Sequence, residues 1–404
     1  MTLLDVLDLN QHVMSRLSSF EPTRAQALER ARLVDPVAYA QSRNHLDGAV
    51  SGLSPYITHG LISLPEVVEV IRSKHPVRAQ DKWMFELGWR EYFRHVWQFT
   101  GSAIFHSLQP VPLAETFQAK EMPPDIRSAC TGVPVIDQAV RTLYATGYLH
   151  NHARMWLASY VVHLRKVHWR VGADWLYGHL LDGDLASNHL SWQWVAGTGS
   201  SKPYLFNADN VARYAPNDWH SPGSVLDCSY EGLERLARQA QPVTGKPAPK
   251  FKATALDEPA LLGTPPDTLG WSEPQSSEVS GRDVWLVHPW SLGEWPSHLS
   301  PQTVVVGIGV CEFHQTWPWS ARRWHFVSQR MSELCQVKWW GDAEHMGAAL
   351  RHARTVSSMD DPHIRPWLSQ WARCEPTPTL FPSVDVRCNS FSKWWNRINR
   401  TSWV

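Results

Sequence analysis

The sequence lacks the marks of several common protein classes. Its six cysteines contain no CxxC pair, which argues against a zinc or iron–sulfur centre. No apolar run approaches the roughly 18 residues of a membrane helix, and the N-terminus has no basic-then-apolar signal. We therefore predict a cytoplasmic protein with reduced cysteines, no metal site and no membrane association. We also expect a monomer.

An excess of charge of one sign is also missing, because 38 Lys and Arg residues balance 38 Asp and Glu residues. A protein that grips a long duplex usually has a basic face, so any nucleic-acid footprint here must be local. Tryptophan, in contrast, is abundant: 23 indoles are several times ordinary usage. Such an excess favours either core filling or stacking and redox work.

The chain divides into three regions by composition. Residues 1–238 have apolar residues at helical spacing, and the segment 62–73 has Ser63 as a predicted N-cap and Pro65 in the first turn. Residues 239–282 contain seven prolines among Ser, Gly and Thr, which predicts a linker or an ordered wrap. Further helices are predicted over 81–99, 134–147, 151–168 and 172–181.

Residues 283–404 alternate between strand and helix signals. Strands are predicted at 284–287, 303–310 and 337–340, with helices over 321–334 and 342–353. This alternation predicts a parallel sheet covered by helices, although no GxGxxG opens a helix, so a dinucleotide site is unsupported. The predicted fold is therefore an all-helical domain followed by a smaller, Rossmann-like α/β domain.

Two short segments combine polar and aromatic side chains in the helical region. Ser51, Gly52 and Ser54 form a small-residue turn before a helix that could begin near Pro55, which is consistent with ordinary capping or with a phosphate cradle. Further on, Glu86 and Arg90 share a helical face. That pair could be a surface ion pair, or Glu86 could bond a substrate from an aromatic-walled pocket.

A third segment contains His150 and His152, whose spacing points the two rings apart on a helix and argues against metal ligation. The fourth runs from Asp182 to Trp194 and combines two carboxylates, an amide and two indoles. Its carboxylates could be an acid/base pair of the glycosidase type, but nothing else favours sugar chemistry. The mixture suits a flat redox cofactor better.

Together these segments resemble the photolyase/cryptochrome family of blue-light flavoproteins. Four motifs occur in the family's order: RNxxxxxxSGLSPY, WxxELGWRE, HNxARM and DGDLASNxxxWQW. The resemblance covers residues 36–215 and implies FAD as the cofactor. It assigns to the FAD site Tyr39, Ser51, Leu53, Ser54, Trp83, Arg90, Asn151, Arg154, Asp182, Asp184 and Asn188.

Within this set the resemblance implies individual roles. The serines and Leu53 would hold the pyrophosphate, and Arg154 would pair with Asp182 near the isoalloxazine. Asn188 would face flavin N5, where an amide tolerates the fully reduced anion. Trp192 and Trp169 would relay electrons for photoreduction.

On the substrate side, the resemblance implies that a flipped pyrimidine dimer in UV-damaged DNA meets Glu86, Trp89, Asn151, Met155 and Trp194. Branches that repair (6-4) photoproducts have His at the positions of Asn151 and Met155, so this chain is expected to split cyclobutane dimers. A dimer weakens its own pairing, which lowers the cost of flipping it. The alternatives are a cryptochrome-like photoreceptor without repair activity and a helical scaffold with chance motifs.

The sequence also departs from the family pattern. The helical domain comes first, so we predict a circular permutation joined through 239–282. The Arg-Asp signature is missing around His288–Trp290, which leaves the antenna chromophore unknown. The third relay indole is replaced by Phe117, and Val50 stands where the family has Thr.

Overall fold

The computed structural model describes residues 19–110, 113–200, 202–243 and 254–398. Helices occupy the chain up to Arg238, and a parallel sheet with flanking helices begins at Asp283. The predicted fold class, an all-helical part followed by an α/β part, is confirmed. In the described ranges, no helix combines the length and the apolar character that crossing a bilayer requires.

The helices of the first part lie close to their predicted positions, and the segments 62–73, 81–99, 134–147 and 172–181 all contain helix. The α-helices are α1 (Arg24–Arg32), α2 (Pro36–Ser42), α3 (Ser54–Thr58), α4 (Leu64–Arg72), α5 (Lys82–Thr100), α6 (Pro124–Arg127), α7 (Pro134–Thr146), α8 (Asn151–Ser159), α9 (Trp169–His179), α10 (Leu185–Ala196), α11 (Ala208–Tyr214) and α12 (Tyr230–Arg238).

Helix α4 begins as its sequence predicts. Ser63 is the N-cap, and its hydroxyl accepts the backbone N–H of Glu66, while the Glu66 carboxylate accepts the backbone N–H of Ser63 at 2.8 Å. Two otherwise unsatisfied donors are therefore paired. Its apolar face, which includes Val67, Val68 and Ile71, is buried in the core.

The helix predicted over 151–168 is shorter in the structure. Helix α8 ends at Ser159, a π-helical turn covers Tyr160–Leu164, and Lys166 has a left-handed φ of 55°. The buried Lys166 ammonium donates to the carbonyls of Leu236 (2.7 Å) and Ala237 (2.9 Å) at the end of α12. A cation at the C-terminus of a helix is stabilised by the helix dipole. Because Leu236 and Ala237 lie about 70 positions further along the chain, local periodicity could not predict this contact.

The second part is a five-stranded, all-parallel sheet in the order β5-β3-β2-β6-β7. Its strands are β2 (Asp283–Val287), β3 (Val304–Val310), β5 (Val337–Gly341), β6 (Thr355–Met359) and β7 (Arg373–Glu375). Its helices are α13 (Ser276–Val279), α14 (Cys311–Thr316), α15 (Ala321–Leu334), α16 (Ala343–Leu350), α17 (Arg365–Trp371) and α18 (Phe391–Ile398).

Strands β2, β3 and β5 confirm the predicted strands, because their apolar, β-branched sequences suit a sheet that is covered on both faces. Strands β6 and β7 were not predicted. The first reads TVSSM and the second is three residues long, so neither shows the apolar run of a buried strand.

The proline-rich region 239–282 lies partly outside the described residues, at 244–253. Beyond this gap it first packs on the helical part, where the Leu256 N–H donates to the Ser128 carbonyl at 2.8 Å and Glu258 lies 3.1 Å from Arg127. It then packs on the α/β part. Strand β1 (Leu261–Leu262) pairs antiparallel with β4 (Trp319–Ser320). The domain boundaries themselves stay a prediction.

The two parts share one apolar core that includes Val67 and Trp83 from the helices and Val284 and Trp339 from the sheet. Gly60 marks one close approach between them. Its φ is +69°, and an added Cβ would lie 2.6 Å from the carbonyl oxygen of Trp290. Only glycine fits there without strain, so the helical and α/β parts are in direct backbone contact.

Candidate cofactor site

Arg154 and Asp182 form an ion pair just before α10. Arg154 Nη2 lies 2.7 and 3.0 Å from the two carboxylate oxygens, and Arg154 Nε donates to the Leu149 carbonyl at 2.8 Å. The Asp182 side chain is buried, whereas Arg154 keeps 24% of its surface open. Asp182 is therefore enclosed by protein, whereas a ligand can reach the guanidinium of Arg154.

Asp184 caps α10 and lies close to two arginine side chains. Its Oδ1 accepts the Ser187 N–H at 2.8 Å, and its Oδ2 lies 2.6 Å from Arg94 Nη2 and 3.9 Å from Arg90 Nη2. Burial opposes ionisation, but Arg94 and then Arg90 outweigh it and hold the Asp184 pKa below its ordinary value. Asp184 is thus a fixed anion.

Sequence reasoning missed Arg94. It lies one helical turn after Arg90 on α5, so the shared face was available as a signal. The second partner of Arg94, Asp361, lies 267 positions further along the chain, so no local spacing could predict this contact.

Asn188 and Trp192 lie along the same helix. Asn188 Nδ2 donates to the Ala173 carbonyl at 2.8 Å, and no donor within the described ranges reaches its Oδ1. Trp192 is buried against α9. Trp169 is also buried, and its Nε1 donates to Ser107 Oγ at 3.0 Å. Trp194, in contrast, is 40% exposed.

Glu86 contacts a different cation from the one that its spacing suggests. Arg43, from the loop after α2, lies 3.4 Å from Glu86, whereas Arg90 donates to Thr58 Oγ1 at 3.0 Å. A surface ion pair between Glu86 and Arg90, one of the two alternatives for this segment, is therefore not formed, because Arg90 turns inward toward Asp184. Burial raises the Glu86 pKa, and Arg43 only partly offsets this effect.

Tyr39 and Trp83 form an edge-to-face pair with ring centroids 5.0 Å apart next to this carboxylate. Trp83 is 2% exposed, and its Nε1 has no hydrogen-bond partner among the described residues. A buried, unsatisfied N–H in a native fold is uncommon and calls for an acceptor.

Asn151 and Met155 are neighbours at the start of α8. Asn151 Nδ2 lies 3.5 Å from Met155 Sδ, and Asn151 is exposed. His150 caps this helix by accepting the His152 N–H on Nδ1, while Nε2 lies 3.0 Å from the Arg43 carbonyl. Burial lowers the His150 pKa to about 3, so the ring is neutral.

Trp89 stacks on Phe391 of α18, with centroids 4.2 Å apart and planes at 10°. One face of the indole is therefore covered by the α/β part. Phe391 lies about 300 positions further along the chain, so local spacing could not predict this contact, and Trp89 separates the site from α18.

The predicted helix near Pro55 is present as α3, which begins at Ser54. Its N-cap is Leu53, without a side-chain cap, and Ser51 Oγ accepts the Leu53 N–H at 3.3 Å. Ordinary side-chain capping of α3 is therefore not seen, and the phosphate role of Ser51 and Ser54 stays a prediction.

Residues 83–218, which hold most of these side chains, match the family model described as the FAD binding domain of DNA photolyase. This match places the site in a segment that is similar to the FAD-binding domain of DNA photolyases. The resemblance to the photolyase and cryptochrome family is thereby confirmed for the helical part.

Individual relatives agree with this match. The chain is 36% identical over 163 residues to the deoxyribodipyrimidine photo-lyase of Streptomyces griseus (40% of this chain, 35% of the relative). It is 34% identical over 217 residues to that of Escherichia coli (52% and 42%), and 32% identical over 173 residues to the cryptochrome DASH of Gloeobacter violaceus (40% and 34%). The matches thus span less than half the length of these relatives.

Among solved structures, a cryptochrome from Synechocystis sp. PCC6803 aligns with a TM-score of 0.45 and 24% identity, over 56% of this chain and 53% of the other.

The residues present fit FAD chemically. The unpaired Trp83 N–H and the open Asn188 oxygen offer one donor and one acceptor, and the Arg154–Asp182 pair offers both signs of charge. A flavin has donors and acceptors along one edge of a flat ring, which such a set can bind.

Proposed function

We propose that this chain binds FAD and uses light to split cyclobutane pyrimidine dimers in UV-damaged DNA, as a deoxyribodipyrimidine photo-lyase. The observation that carries the proposal is the Arg154–Asp182 pair beside the helix of Asn188, inside the segment that matches the FAD-binding family. When bound and reduced, FAD supplies the electron that opens the dimer and takes it back afterwards.

The protein side chains provide position and electrostatics. Asp182 and the Leu149 carbonyl hold Arg154 in one orientation, and Arg94 with Arg90 keeps Asp184 ionised. Rigid partners of this kind reduce the reorganisation that accompanies a charge transfer. Asn188 would contribute a neutral amide and therefore no further negative charge to the groups that hold a reduced flavin.

The lesion side supports a cyclobutane dimer as the substrate. Asn151 and Met155 are neutral, and the neighbouring His150 is neutral too because burial lowers its pKa to about 3. The proton donor that (6-4) repair requires is therefore missing from these three positions. The exposed Trp194 offers an apolar face to a flipped base.

A local basic cluster supports DNA as the partner. Arg387, Lys393 and Arg397 line a surface cavity of about 450 Å³ together with Cys388, Asn389 and Asn396. Among the described residues, no acidic side chain lines it, and Phe391, on the same helix as Lys393, stacks on Trp89. Phosphates that flank a flipped lesion could bind there although the net charge of the chain is zero.

The order of the two parts belongs to the proposal as well. We infer that the α/β part is the permuted counterpart of the half that precedes the helical domain in the family. The five parallel strands and α18, which packs on α5 through Phe391 and Trp395, support this inference.

The experiment is a repair assay with purified protein. We expect a yellow preparation that releases FAD on denaturation and, after chemical prereduction, clears thymine dimers from an oligonucleotide under blue light but not in the dark. A colourless preparation that fails to take up FAD contradicts the proposal. Dimers that persist although the flavin photoreduces would favour the cryptochrome-like photoreceptor, a reading that the similarity to cryptochrome DASH keeps open.

A further inference from the structure

A chain of buried charges connects the α/β part to the start of α10. Asp361, which follows β6, accepts a hydrogen bond from Arg94 Nη1 on its Oδ2 at 3.0 Å. Arg94 Nη2 in turn donates to Asp184 Oδ2 at 2.6 Å. One guanidinium therefore bridges two carboxylates that come from opposite parts of the molecule, and both carboxylates are almost fully buried.

His363 completes this chain. Its Nδ1 lies 2.6 Å from Asp361 Oδ1, and its Nε2 accepts the backbone N–H of Leu185, the first residue of α10, at 3.2 Å. The ring stacks on Trp290, with centroids 4.3 Å apart and planes at 8°. Nδ1 must then carry the proton, because Nε2 is an acceptor.

Electrostatics agree with this assignment. Burial opposes ionisation of Asp361, but Arg94 and then His363 outweigh it and hold the Asp361 pKa well below its ordinary value. Burial lowers the His363 pKa although Asp361 opposes the shift, so the imidazole is neutral. The cluster thus contains the anions Asp184 and Asp361 and the cations Arg90 and Arg94.

The cluster also borders open space. A cavity of about 1010 Å³ between the two parts is lined by Arg90, Arg94, Trp290 and Asp361, among other residues. It lies at the carboxyl ends of β2 and β6, where the strand order reverses. The two carboxylates themselves are buried, so water screens them weakly, and a change in either charge is felt across the cluster.

We propose that Asp361 and His363 are positioning residues for the cofactor site: they act through Arg94 and the first turn of α10 to set the position and the charge balance of Asp184. The inference rests on the proposed FAD binding, and it extends the site to a part of the chain outside the matching segment 83–218. Neither residue needs to touch the cofactor.

The charge balance predicts the direction of the effect. Asp361→Asn removes one anion and leaves Arg90 and Arg94 with less opposing negative charge, most of it from Asp184. A more positive surrounding stabilises an anionic reduced flavin, so the reduction potential should rise. We expect about a tenfold shift in the one-electron reduction equilibrium, which corresponds to about 59 mV.

The neighbouring carboxylate is a matched control. Asp360 pairs with the exposed Arg365 at 2.7 Å and contacts neither Arg94 nor His363. Asp360→Asn removes the same charge one residue away, so the reduction potential of the flavin bound to this variant should stay close to the wild-type value.

A second pair of variants tests the positioning role separately from charge. His363→Gln can accept the Leu185 N–H and donate to Asp361, so it should retain the wild-type dissociation constant for FAD. His363→Leu can do neither and should weaken FAD binding by about tenfold. Fluorescence titration with FAD gives these constants, and the far-UV spectrum verifies folding.

The outcomes separate the two proposals. Wild-type protein that takes up no FAD overturns the proposed function and this inference with it. If wild-type protein binds FAD but Asp361→Asn matches Asp360→Asn in potential, only the positioning role fails. If Asp361→Asn does not fold, the His363 pair decides: equal FAD affinities of the Gln and Leu variants overturn the inference, and a tenfold difference supports it.

Discussion

Glu86 illustrates, at the scale of a single residue, how burial and one cation compete at a carboxylate. Burial raises its pKa, and Arg43 at 3.4 Å offsets only part of the rise. The side chain is 41% exposed, so a substrate amide can still reach it. This access favours a role in binding the lesion over a role in holding the fold.

Replacement of Glu86 by Gln should therefore lower repair without loss of the cofactor. We expect dimer splitting at limiting DNA to fall about tenfold, the effect of losing about 1.4 kcal/mol from a hydrogen bond to a charged group. The FAD content of the purified protein should stay unchanged. Glu69→Gln, on the exposed face of α4, is the control. Equal repair by the two variants would exclude the proposed role of Glu86.

At the scale of elements, the packing of α9 against α10 depends on a missing side chain. An added Cβ at Gly172 would lie 2.3 Å from Trp192 Cζ3, well inside van der Waals contact. The close approach holds the indole that the resemblance assigns to electron transfer. Helix propensity alone would favour Ala at this position by about 1 kcal/mol.

Overpacking should outweigh propensity at Gly172. We expect Gly172→Ala to lower the free energy of unfolding by about 1–3 kcal/mol and to slow flavin photoreduction, because Trp192 must move. Gly232→Ala in α12 is matched, since its Cβ would meet only ordinary contacts at 3.5 Å. That variant should be neutral or slightly more stable in urea unfolding. Identical changes in the two proteins would mean that the Trp192 contact is unimportant.

At the scale of the whole molecule, Glu91 links the two parts. Its carboxylate accepts the backbone N–H groups of Leu380 (2.6 Å) and Phe381 (3.2 Å) from the segment before α18. Burial raises the Glu91 pKa to about 7 and outweighs these two hydrogen bonds and Arg90, which favour the charged form. The folded protein therefore binds the Glu91 proton more tightly than the unfolded chain does.

This difference makes stability depend on pH. The contribution of Glu91 is fully present below the unfolded pKa, 4.5, and is lost as pH rises through about 7. Wild-type protein should lose on the order of 1–3 kcal/mol relative to Glu91→Gln between pH 5 and pH 8. Urea unfolding of both proteins across this range measures the difference. Parallel curves would show that the carboxylate titrates normally.

Much of the local structure could be predicted without coordinates. The start of α4 follows from Ser63 and Glu66, and β3 follows from its run of β-branched residues. The motif from Asp182 to Trp194 also indicated a flavin site, a class that the family match of residues 83–218 supports. These features depend on neighbours within a few positions, which a sequence displays directly.

Other features were decided only by the tertiary structure. Glu86 pairs with Arg43 and not with Arg90, Trp89 stacks on Phe391, and Arg94 bridges Asp184 to a residue 267 positions away. Strands β6 and β7 exist because neighbouring strands offer backbone partners, not because their own sequences are apolar. Which acidic and basic side chains pair depends on how distant helices and strands pack together, and the spacing of residues along the chain does not predict that packing.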